Sequence, residues 1–217
     1  DLDAVRKLEE TYTEKRQEVA EALHKTAGKE FNIGSVPQLA SVLYDDLKLK
    51  PAPKLARKYG ARSTDKAILQ DLQERLHDQR SPLEGFVSGV RGWREVNTLI
   101  TRHTTPLPGL IDPATKLVHP HFTQTAVRST RLSCRDPNLQ QVPVRTDLGR
   151  LMRGVFVAFE GWKLLGADES QVELRIMAHF SHDPAMLEAF HNGEDIHAKT
   201  THIIFANRPD LEQRFDF

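Results

Sequence analysis

The stretch from Lys163 to Phe180, KLLGADESQVELRIMAHF, decides the fold of the second half of the chain. Its first part is a short apolar run bounded by glycines, which predicts the end of a buried strand. From Ser170 onward the pattern changes to a helix, whose apolar side chains at helical spacing are Val172, Ile176, Met177 and Phe180. Asp168 and Glu169 therefore stand where a strand is predicted to end and a helix to begin.

The acidic side chains at this junction have two interpretations. Ser170 and Glu173 have the spacing of a capping box, so Glu173 could simply satisfy the helix N-terminus, where the helix dipole also favours acids. Alternatively, a carboxylate fixed at a strand end can hold a metal ion, while the opening helix offers backbone N–H groups to a phosphate. The spacing alone leaves both interpretations open.

Three longer segments favour the second interpretation. Residues 168–179 have the sequence DESQVELRIMAH, residues 131–145 have RLSCRDPNLQQVPVR, and residues 195–197 have DIH. In this order they resemble the first catalytic motif, the upstream template-primer segment and a third motif of the family A DNA polymerases, the group of bacterial DNA polymerase I. The three matches together are far more specific than any single short motif.

The resemblance implies a role for each residue of the first motif. Asp168 would bridge two Mg²⁺ ions about 4 Å apart, with the backbone carbonyl of Glu169 as a further hard oxygen ligand. Gln171 and the helix N-terminus would face the triphosphate of the incoming nucleotide. Glu173 would leave no room for a ribose 2′ hydroxyl, and His197 would touch the triphosphate.

Residues 128–153 form a strongly basic segment in a chain that has 30 basic and 30 acidic residues overall. The segment contains six arginines, no lysine and two acids, which gives a local charge of 6 − 2 = +4. Arginine favours fork-like contacts with phosphates, whereas the alternative is a network of salt bridges between domains. The resemblance places Arg131 in the minor groove at the primer terminus, as part of the catalytic site together with Asp168. The residues predicted to contact DNA are Arg128, Arg131, Arg135, Asn138, Gln140 and Arg145.

The chain departs from the family pattern at two positions. Glu169 stands where the family usually has Tyr or Phe, and Ser129-Thr130 replaces the usual Thr-Gly before Arg131. Because glycine's conformational freedom is lost there, the backbone before Arg131 is expected to differ. The nucleotide-gripping helix and the His-Asp-Glu segment of the family do not occur in the sequence. The remaining polymerase segments are therefore expected as partners, in cis or as a second chain, and the isolated chain is expected to be inactive.

The first hundred residues predict a set of amphipathic helices. Their start and end signals are Gly28 at the end of the first helix, Ser35 with Gln38, Ser63 or Thr64, and Ser81 with Glu84. Between them, the segment from Lys48 to Gly60 predicts a basic loop, because it carries two prolines and five basic residues. Residues 31–39 resemble the thumb of the same family, so the loop's lysines and arginines are expected either near DNA phosphates or in solvent.

Prolines and short β-like runs replace this helical pattern from Pro106 onward. Residues 112–115 predict a turn between two such runs. We therefore predict an α+β fold with a boundary near residue 105. Residues 1–105 would form a helical thumb-like subdomain. Residues 106–217 would form a partial palm with a mainly antiparallel sheet and packed helices.

The sequence also excludes several classes of site. The single cysteine, Cys134, rules out an internal disulfide and a zinc site built from cysteines. No apolar run reaches the roughly 20 residues of a membrane span, so a membrane partner is not expected. The resemblance to DNA polymerases implies an intracellular location, wherever DNA is replicated or repaired. His179 and His182 lack a third ligand at a suitable spacing for a metal.

Three functional hypotheses remain. The first is a template-directed DNA polymerase that transfers dNMP to a primer 3′ hydroxyl, with primer-template DNA and deoxynucleoside triphosphates as partners and magnesium as cofactor. The second is a non-catalytic module that binds primer-template DNA. The third is a structural remnant with neither role. A primer-extension assay separates the first two, and salt-dependent DNA binding separates the second from the third.

Overall fold

The structure is a computed structural model that describes residues 1–144 and 146–207. The chain divides into two compact units, residues 1–161 and 162–217. Arg145, one of the residues predicted to contact DNA, lies outside the described residues. The predicted thumb–palm boundary near residue 105 is a functional division and stays a prediction. None of the described helices is long and apolar enough to cross a membrane.

The first helix, α1, spans Leu2–Ala27 and has both ends defined by local side-chain and backbone chemistry. Asp1 caps its N-terminus by accepting a hydrogen bond from the backbone N–H of Ala4 at 3.0 Å. Gly28 ends it in the left-handed conformation, with φ of 69°, where glycine has no steric penalty. The helix predicted from spacing and from Gly28 is thus confirmed.

The next segment contains a helix where the sequence predicted a loop. Helix α2 spans Val36–Ser41 and continues into a π-helical turn at Val42–Asp46. Helix α3 spans Pro53–Tyr59, so the predicted loop over residues 48–60 was wrong in its second half. Proline is tolerated in the first helical turn, and Leu55 of α3 packs against the core.

Helix α4 spans Lys66–Asp78 and α5 spans Glu84–Leu99, followed by a π-helical turn at Ile100–Thr104. The existence of both helices was predicted, but their caps differ. Asp65, not Ser63 or Thr64, caps α4 by accepting from the N–H of Ala67 at 2.9 Å.

The predicted capping boxes do not close either. Glu84 accepts from the side chain of Gln73 at 2.9 Å, while Gln38 accepts from the N–H of Asn32 at 2.7 Å. In both cases a more distant partner takes the side chain that a capping box would use.

Two apolar clusters form the core of the first unit. The first core packs α1, α2, α4 and α5, with Leu23, Leu43, Leu72 and Val87 among its buried residues. The second core joins the start of α1 and the end of α5 to helix α6, Asp147–Arg153, through Val5, Tyr12, Val96 and Met152. Helices α1 and α5 contribute to both cores and hold the unit together.

The β structure of the described residues is small. Strands β1, His121–Thr123, and β2, Ser133–Arg135, pair antiparallel with Phe122 opposite Cys134. An isolated bridge between Ile111 and Val118 flanks the turn predicted at residues 112–115. Short 3₁₀ helices lie at Leu107–Leu110 and Leu139–Gln141. The predicted α+β class is confirmed.

The second unit contains three described helices, α7 at Val172–Ser181, α8 at Pro184–His191 and α9 at Ile196–Asn207. Helix α7 packs against α8, and α8 against α9. Asp183 caps α8 by accepting a hydrogen bond from the backbone N–H of Met186 at 2.9 Å. The helix predicted to begin at Ser170 begins two residues later, at Val172.

The strand predicted at Leu164 and Leu165 does not form in the described structure. Residues 162–169 have no regular secondary structure, and the two leucine side chains are 71% and 94% exposed. A strand needs a neighbouring strand to satisfy its backbone groups, and no described strand pairs with this segment. An apolar run predicts burial but does not supply the partner that produces it.

Candidate functional site

The N-termini of α7 and α9 are tied together by one side-chain hydrogen bond. The amide Nε2 of Gln171 donates to Oδ2 of Asp195 at 2.8 Å. Gln171 directly precedes α7, and Asp195 directly precedes α9. Because helix N-termini carry partial positive charge and free N–H groups, this bond brings two anion-attracting helix ends into one region.

Asp195 also caps α9. Its Oδ1 accepts hydrogen bonds from the backbone N–H groups of His197 at 2.7 Å and Ala198 at 3.1 Å. The pKa of Asp195 lies below its usual range, chiefly because of the Ala198 N–H, with His197 and Gln171 contributing in the same direction. The carboxylate therefore stays ionised. The His197 side chain is exposed at the first turn of α9, and its contact with a triphosphate stays a prediction.

Asp168 and Glu169 lie on an exposed turn before α7. Both side chains are exposed, so neither carboxylate faces a closed core. Oδ1 of Asp168 accepts from the backbone N–H of Glu169 at 3.0 Å. This bond fixes the carboxylate locally, although the anchoring strand predicted before it is not formed.

The donor atoms at this turn are of the type that magnesium binds, but the described residues supply too few of them. The Asp168 carboxylate and the Glu169 backbone carbonyl are hard oxygen donors, as Mg²⁺ requires. Within residues 1–144 and 146–207, however, no three His, Cys, Asp or Glu side chains come together as metal ligands do. The described residues therefore provide part of a coordination sphere for magnesium.

Gln171 has an unusual conformation and an unsatisfied polar atom. Its backbone is left-handed, with φ of 55° and ψ of 35°. Its amide oxygen Oε1 is buried and has no hydrogen-bond partner in the described structure. Buried carbonyl oxygens are normally paired, so this acceptor is available to a donor that enters the site. Glu173 follows in the first turn of α7 with an exposed side chain.

Arg175 makes a structural contact rather than a contact with the predicted site. Its guanidinium lies 4.6 Å from the ring centroid of Phe190 on α8, and its Nε donates to the carbonyl of Ser170 at 2.9 Å. The Arg175 side chain is exposed, and its partner on α8 is an aromatic ring.

The arginine-rich segment of the first unit presents exposed guanidinium groups. Arg128, Arg131 and Arg135 are all exposed. Arg135 pairs with the neighbouring Asp136 at 3.1 Å, and both side chains of this pair are largely exposed. Exposed pairs of this kind contribute little to stability and are easily exchanged for another anion. The geometry is therefore compatible with the predicted contacts to phosphate.

Asn138 and Gln140 have a bracing role that the sequence did not predict. Oδ1 of Asn138 accepts from the backbone N–H of Gln140 at 3.1 Å and caps the short 3₁₀ helix. Nε2 of Gln140 donates to the carbonyl of Leu132 at 3.1 Å. The two amides thereby hold the backbone next to Arg131. The sequence did contain a signal for this capping role, because asparagine is a preferred residue immediately before a helical turn.

Thr130 adopts the left-handed conformation, with φ of 59°. It stands where the resembling family usually has glycine, and its conformation is one that glycine adopts without strain. The expected difference in the backbone before Arg131 stays a prediction. A β-branched residue in this region is strained by roughly 1–2 kcal/mol. The backbone N–H of Thr130 donates to the carbonyl of Val127 at 3.1 Å and closes a turn just before Arg131.

The basic side chains of the predicted thumb lie around α3. Lys48, Lys50, Lys54 and Arg57 are exposed, and the ammonium of Lys58 lies 4.8 Å from the ring centroid of Tyr59. Nearby, both Nη atoms of Arg62 bind the Asp45 carboxylate, at 2.6 and 2.7 Å. This fork lowers the pKa of Asp45 to about 2.

Comparison with known proteins identifies the family. The model of DNA polymerase family A matches residues 2–214. The chain belongs to DNA polymerase family A. The three segments quoted from the sequence therefore belong to a family A chain, and the resemblance inferred from them is confirmed.

Relatives match most of this chain, but the match takes up only a small part of each relative's own length. The thermostable DNA polymerase I of Thermus thermophilus is 41% identical over 194 residues, which are 89% of this chain and 22% of that protein. DNA polymerase I of Pseudomonas aeruginosa is 42% identical over 179 residues, which are 82% of this chain and 19% of that protein. The chain thus spans about one fifth of the length of these curated relatives.

A solved structure has the same fold over the matched region. It is the POL domain of Pol1 from M. smegmatis in complex with DNA primer-template and dNTP. The TM-score is 0.76 and the sequence identity 34%, over 91% of this chain and 33% of that one. About two thirds of that POL-domain chain, 100% − 33%, therefore lies outside the match.

Proposed function

We propose that this chain forms the primer-template-holding part and the first catalytic motif of a template-directed DNA polymerase, which transfers dNMP to a primer 3′ hydroxyl. The observation that supports it best is the junction of the α7 and α9 N-termini through Gln171 and Asp195. An exposed carboxylate, Asp168, precedes the same α7 terminus. A triphosphate and its metal ions need this combination of positive helix ends and acidic oxygen donors.

The residues of the site have separate roles in this proposal. Asp168 and the Glu169 carbonyl would hold Mg²⁺, which when bound neutralises charge on the reacting phosphates. His197, exposed on the first turn of α9, would donate a hydrogen bond to the triphosphate. The buried Oε1 of Gln171 would accept from a donor that enters with the nucleotide or with another polymerase segment. Glu173 would exclude a 2′ hydroxyl.

The first unit would hold the primer-template duplex. Arg128, Arg131 and Arg135 are exposed on one basic segment, whose backbone is braced by Asn138 and Gln140. Arginines on a fixed backbone can bind phosphates through both guanidinium nitrogens. The M. smegmatis structure was solved with primer-template and dNTP, which supports the same two partners for this chain.

Catalysis would need polymerase segments beyond the region that this chain matches. The exposed turn at Asp168 provides only part of a magnesium coordination sphere among the described residues. The same observation favours the second candidate function, a non-catalytic module that binds primer-template DNA. In that case the arginine segment binds duplex, and no chemistry follows at Asp168.

A fusion protein tests the proposal. This chain is joined to the segment that follows the matched region in the Thermus thermophilus polymerase, and primer extension is measured with Mg²⁺. We expect extension by the fusion and none by the chain alone. Asp168→Ala should abolish extension and leave the dissociation constant for duplex nearly unchanged.

Asp3→Ala is the matched control for this test, because Asp3 is an exposed carboxylate on α1. An Asp168→Ala fusion that extends primers at the unmodified rate would reject the catalytic assignment. Salt-dependent duplex binding without extension in any fusion would support the binding module instead.

A further inference from the structure

The turn between α8 and α9 contains the only Asn-Gly pair of the sequence, Asn192-Gly193. Because glycine has no Cβ, its backbone nitrogen can approach the side chain of the residue before it. Asparagine followed by glycine therefore forms a cyclic imide more readily than asparagine followed by a bulkier residue. The other asparagines, which glycine does not follow, are Asn32, Asn97, Asn138 and Asn207.

The closed turn keeps the nitrogen of Gly193 engaged. The backbone N–H of Gly193 donates to the carbonyl of Phe190 at 3.2 Å, and that of Glu194 donates to the carbonyl of Ala189 at 2.8 Å. Gly193 itself is left-handed, with φ of 69°. These bonds form the Schellman ending of α8. A nitrogen that donates in this way is a poor nucleophile, so an attack on the Asn192 side chain requires the turn to open.

The end of α8 has little to hold it closed. Asn192 and Gly193 are both exposed, and the helix before them has 8 residues, fewer than an isolated helix needs for stability. Among the residues described within 162–207, the buried apolar residues are two alanines, Ala178 and Ala189. A helix end that buries so little apolar surface opens locally at a low cost in free energy.

We propose that Asn192 is a site of spontaneous deamidation, which proceeds when the end of α8 frays. In the open turn, the Gly193 nitrogen loses its proton to hydroxide and attacks the side-chain amide carbon of Asn192. A C–N bond forms at this carbon, its bond to the side-chain nitrogen breaks, and ammonia leaves with a proton taken from water. Water then opens the cyclic imide at either carbonyl and leaves an aspartate or an isoaspartate. Nothing is oxidised or reduced, and the only co-reactant is water.

The product carboxylate lies in a turn that is already acidic. Nδ2 of Asn192 donates to Oε1 of Glu194 at 3.4 Å. Lys199 first, and Asn192 second, hold the pKa of Glu194 below its usual range. Deamidation replaces the Asn192 donor by a carboxylate that repels Glu194. The new charge also lies at the C-terminus of α8, where the helix dipole disfavours it.

This strain reaches the junction of the two helix N-termini. Asp195 directly follows Glu194, caps α9 through the N–H groups of His197 and Ala198, and accepts the hydrogen bond of Gln171. A turn that is pushed apart at position 192 holds Asp195 less firmly. Deamidation therefore loosens the start of α9 as the protein ages.

Peptide mapping by mass spectrometry tests the proposal on the chain incubated in mildly alkaline buffer. Deamidation at Asn192 should be at least about tenfold faster than at Asn32, Asn97 or Asn138, because glycine follows only Asn192. Its rate should rise with hydroxide concentration, and isoaspartate should appear at the same position. Conversion at Asn192 that is no faster than at Asn32 would overturn the proposal.

Two N-cap variants test whether fraying of α8 controls the rate. Asp183→Ala removes the cap of α8 and should speed deamidation at Asn192 about fivefold, the effect expected from one N-cap. Asp65→Ala removes the corresponding cap of α4 in the first unit and should leave the rate unchanged. Equal rates in the two variants would overturn the control by α8.

Hydrogen exchange tests the consequence for α9. Asn192→Asp introduces the product charge directly, whereas Asn192→Gln keeps an uncharged amide. Amides at residues 196–199 should exchange about two- to fivefold faster in Asn192→Asp than in Asn192→Gln, as expected from an unfavourable charge at a helix end. Asn32→Asp makes the same change at an exposed position of the first unit and should not alter these amides. Equal exchange in all three variants would overturn the effect on α9.

Discussion

Gln171 and Asp195 are 24 residues apart in sequence, and their side chains form a 2.8 Å hydrogen bond that links the start of α7 to the start of α9. Each residue stands immediately before its helix, so the bond fixes the position of one helix N-terminus relative to the other. The acidic turn at Asp168 and the exposed His197 are thereby attached to one local framework.

We predict that Gln171→Leu loosens the start of α9. In the fusion, the KM for deoxynucleotides should rise about tenfold with a smaller change in kcat, since one charge-assisted hydrogen bond corresponds to about 1.4 kcal/mol. Amides at residues 196–199 should exchange faster at the same time. Gln17→Leu is the control, because Gln17 donates to the Glu21 carboxylate on exposed α1 at 2.9 Å. An unchanged KM would remove Gln171 from this positioning role.

Glu173→Ala should relax discrimination against ribonucleotides. The Glu173 side chain is exposed on the first turn of α7, where it would meet the sugar of a nucleotide held at the helix N-terminus. Its removal leaves space for a 2′ hydroxyl, so the ratio of kcat/KM for dNTP over rNTP should fall at least about tenfold. Glu188→Ala on α8 is the comparison variant. If ribonucleotide exclusion is the same in both variants, Glu173 does not select the sugar.

Thr130→Gly should be better tolerated than the neighbouring Ser129→Gly. Thr130 has a φ of 59°, a conformation that glycine adopts without strain, whereas Ser129 has no positive φ. Both substitutions add the same flexibility to the unfolded chain, so their difference isolates the strain. We expect the free energy of unfolding of the Thr130→Gly protein, measured in denaturant, to exceed that of the Ser129→Gly protein by roughly 1–2 kcal/mol. Equal stabilities would show that Thr130 carries no strain.

Deprotonation of Tyr12 should lower the stability of the first unit at alkaline pH. Its side chain is fully buried and its hydroxyl donates to the carbonyl of Leu148 at 2.5 Å. Burial, and secondarily the charge of Glu95, raises the pKa of Tyr12 to about 12. The folded chain therefore holds this proton more tightly than the unfolded chain, whose tyrosine pKa is about 10.

The stability that comes from holding this proton in the folded chain is fully present below about pH 10, and it is lost as the pH rises through about 12. Tyr12→Phe should cost about 1 kcal/mol at pH 7, because a hydrogen bond is lost. The difference between the two proteins should shrink from pH 10 to pH 12. Tyr59→Phe, at an exposed position, serves as control, and a pH-independent difference would contradict the assignment.

The helices of the first unit were largely predictable because the information is local. Apolar spacing and Gly28 placed α1 correctly, and the existence of α4 and α5 followed from the same pattern. The caps were less predictable, since tertiary partners compete for the same groups. Thr64 cannot cap α4, because its carbonyl and hydroxyl bind the guanidinium of Arg94 on α5.

The second unit was harder to predict because its structure depends on distant groups. An apolar run predicts burial, but Leu165 is 94% exposed because no described strand covers it. Gln171 was assigned to the triphosphate, and no local pattern indicated that its amide would bind Asp195. The candidate site residues themselves came from the long motifs, whose roles stay predictions until the variants are measured.

Helix α1 places Leu23 in the first core and Val5 in the second, so both ends of a single rod are clamped. Its 26 residues are about 39 Å long. Because this one helix packs into both cores, we expect the first unit to unfold in a single cooperative transition rather than core by core.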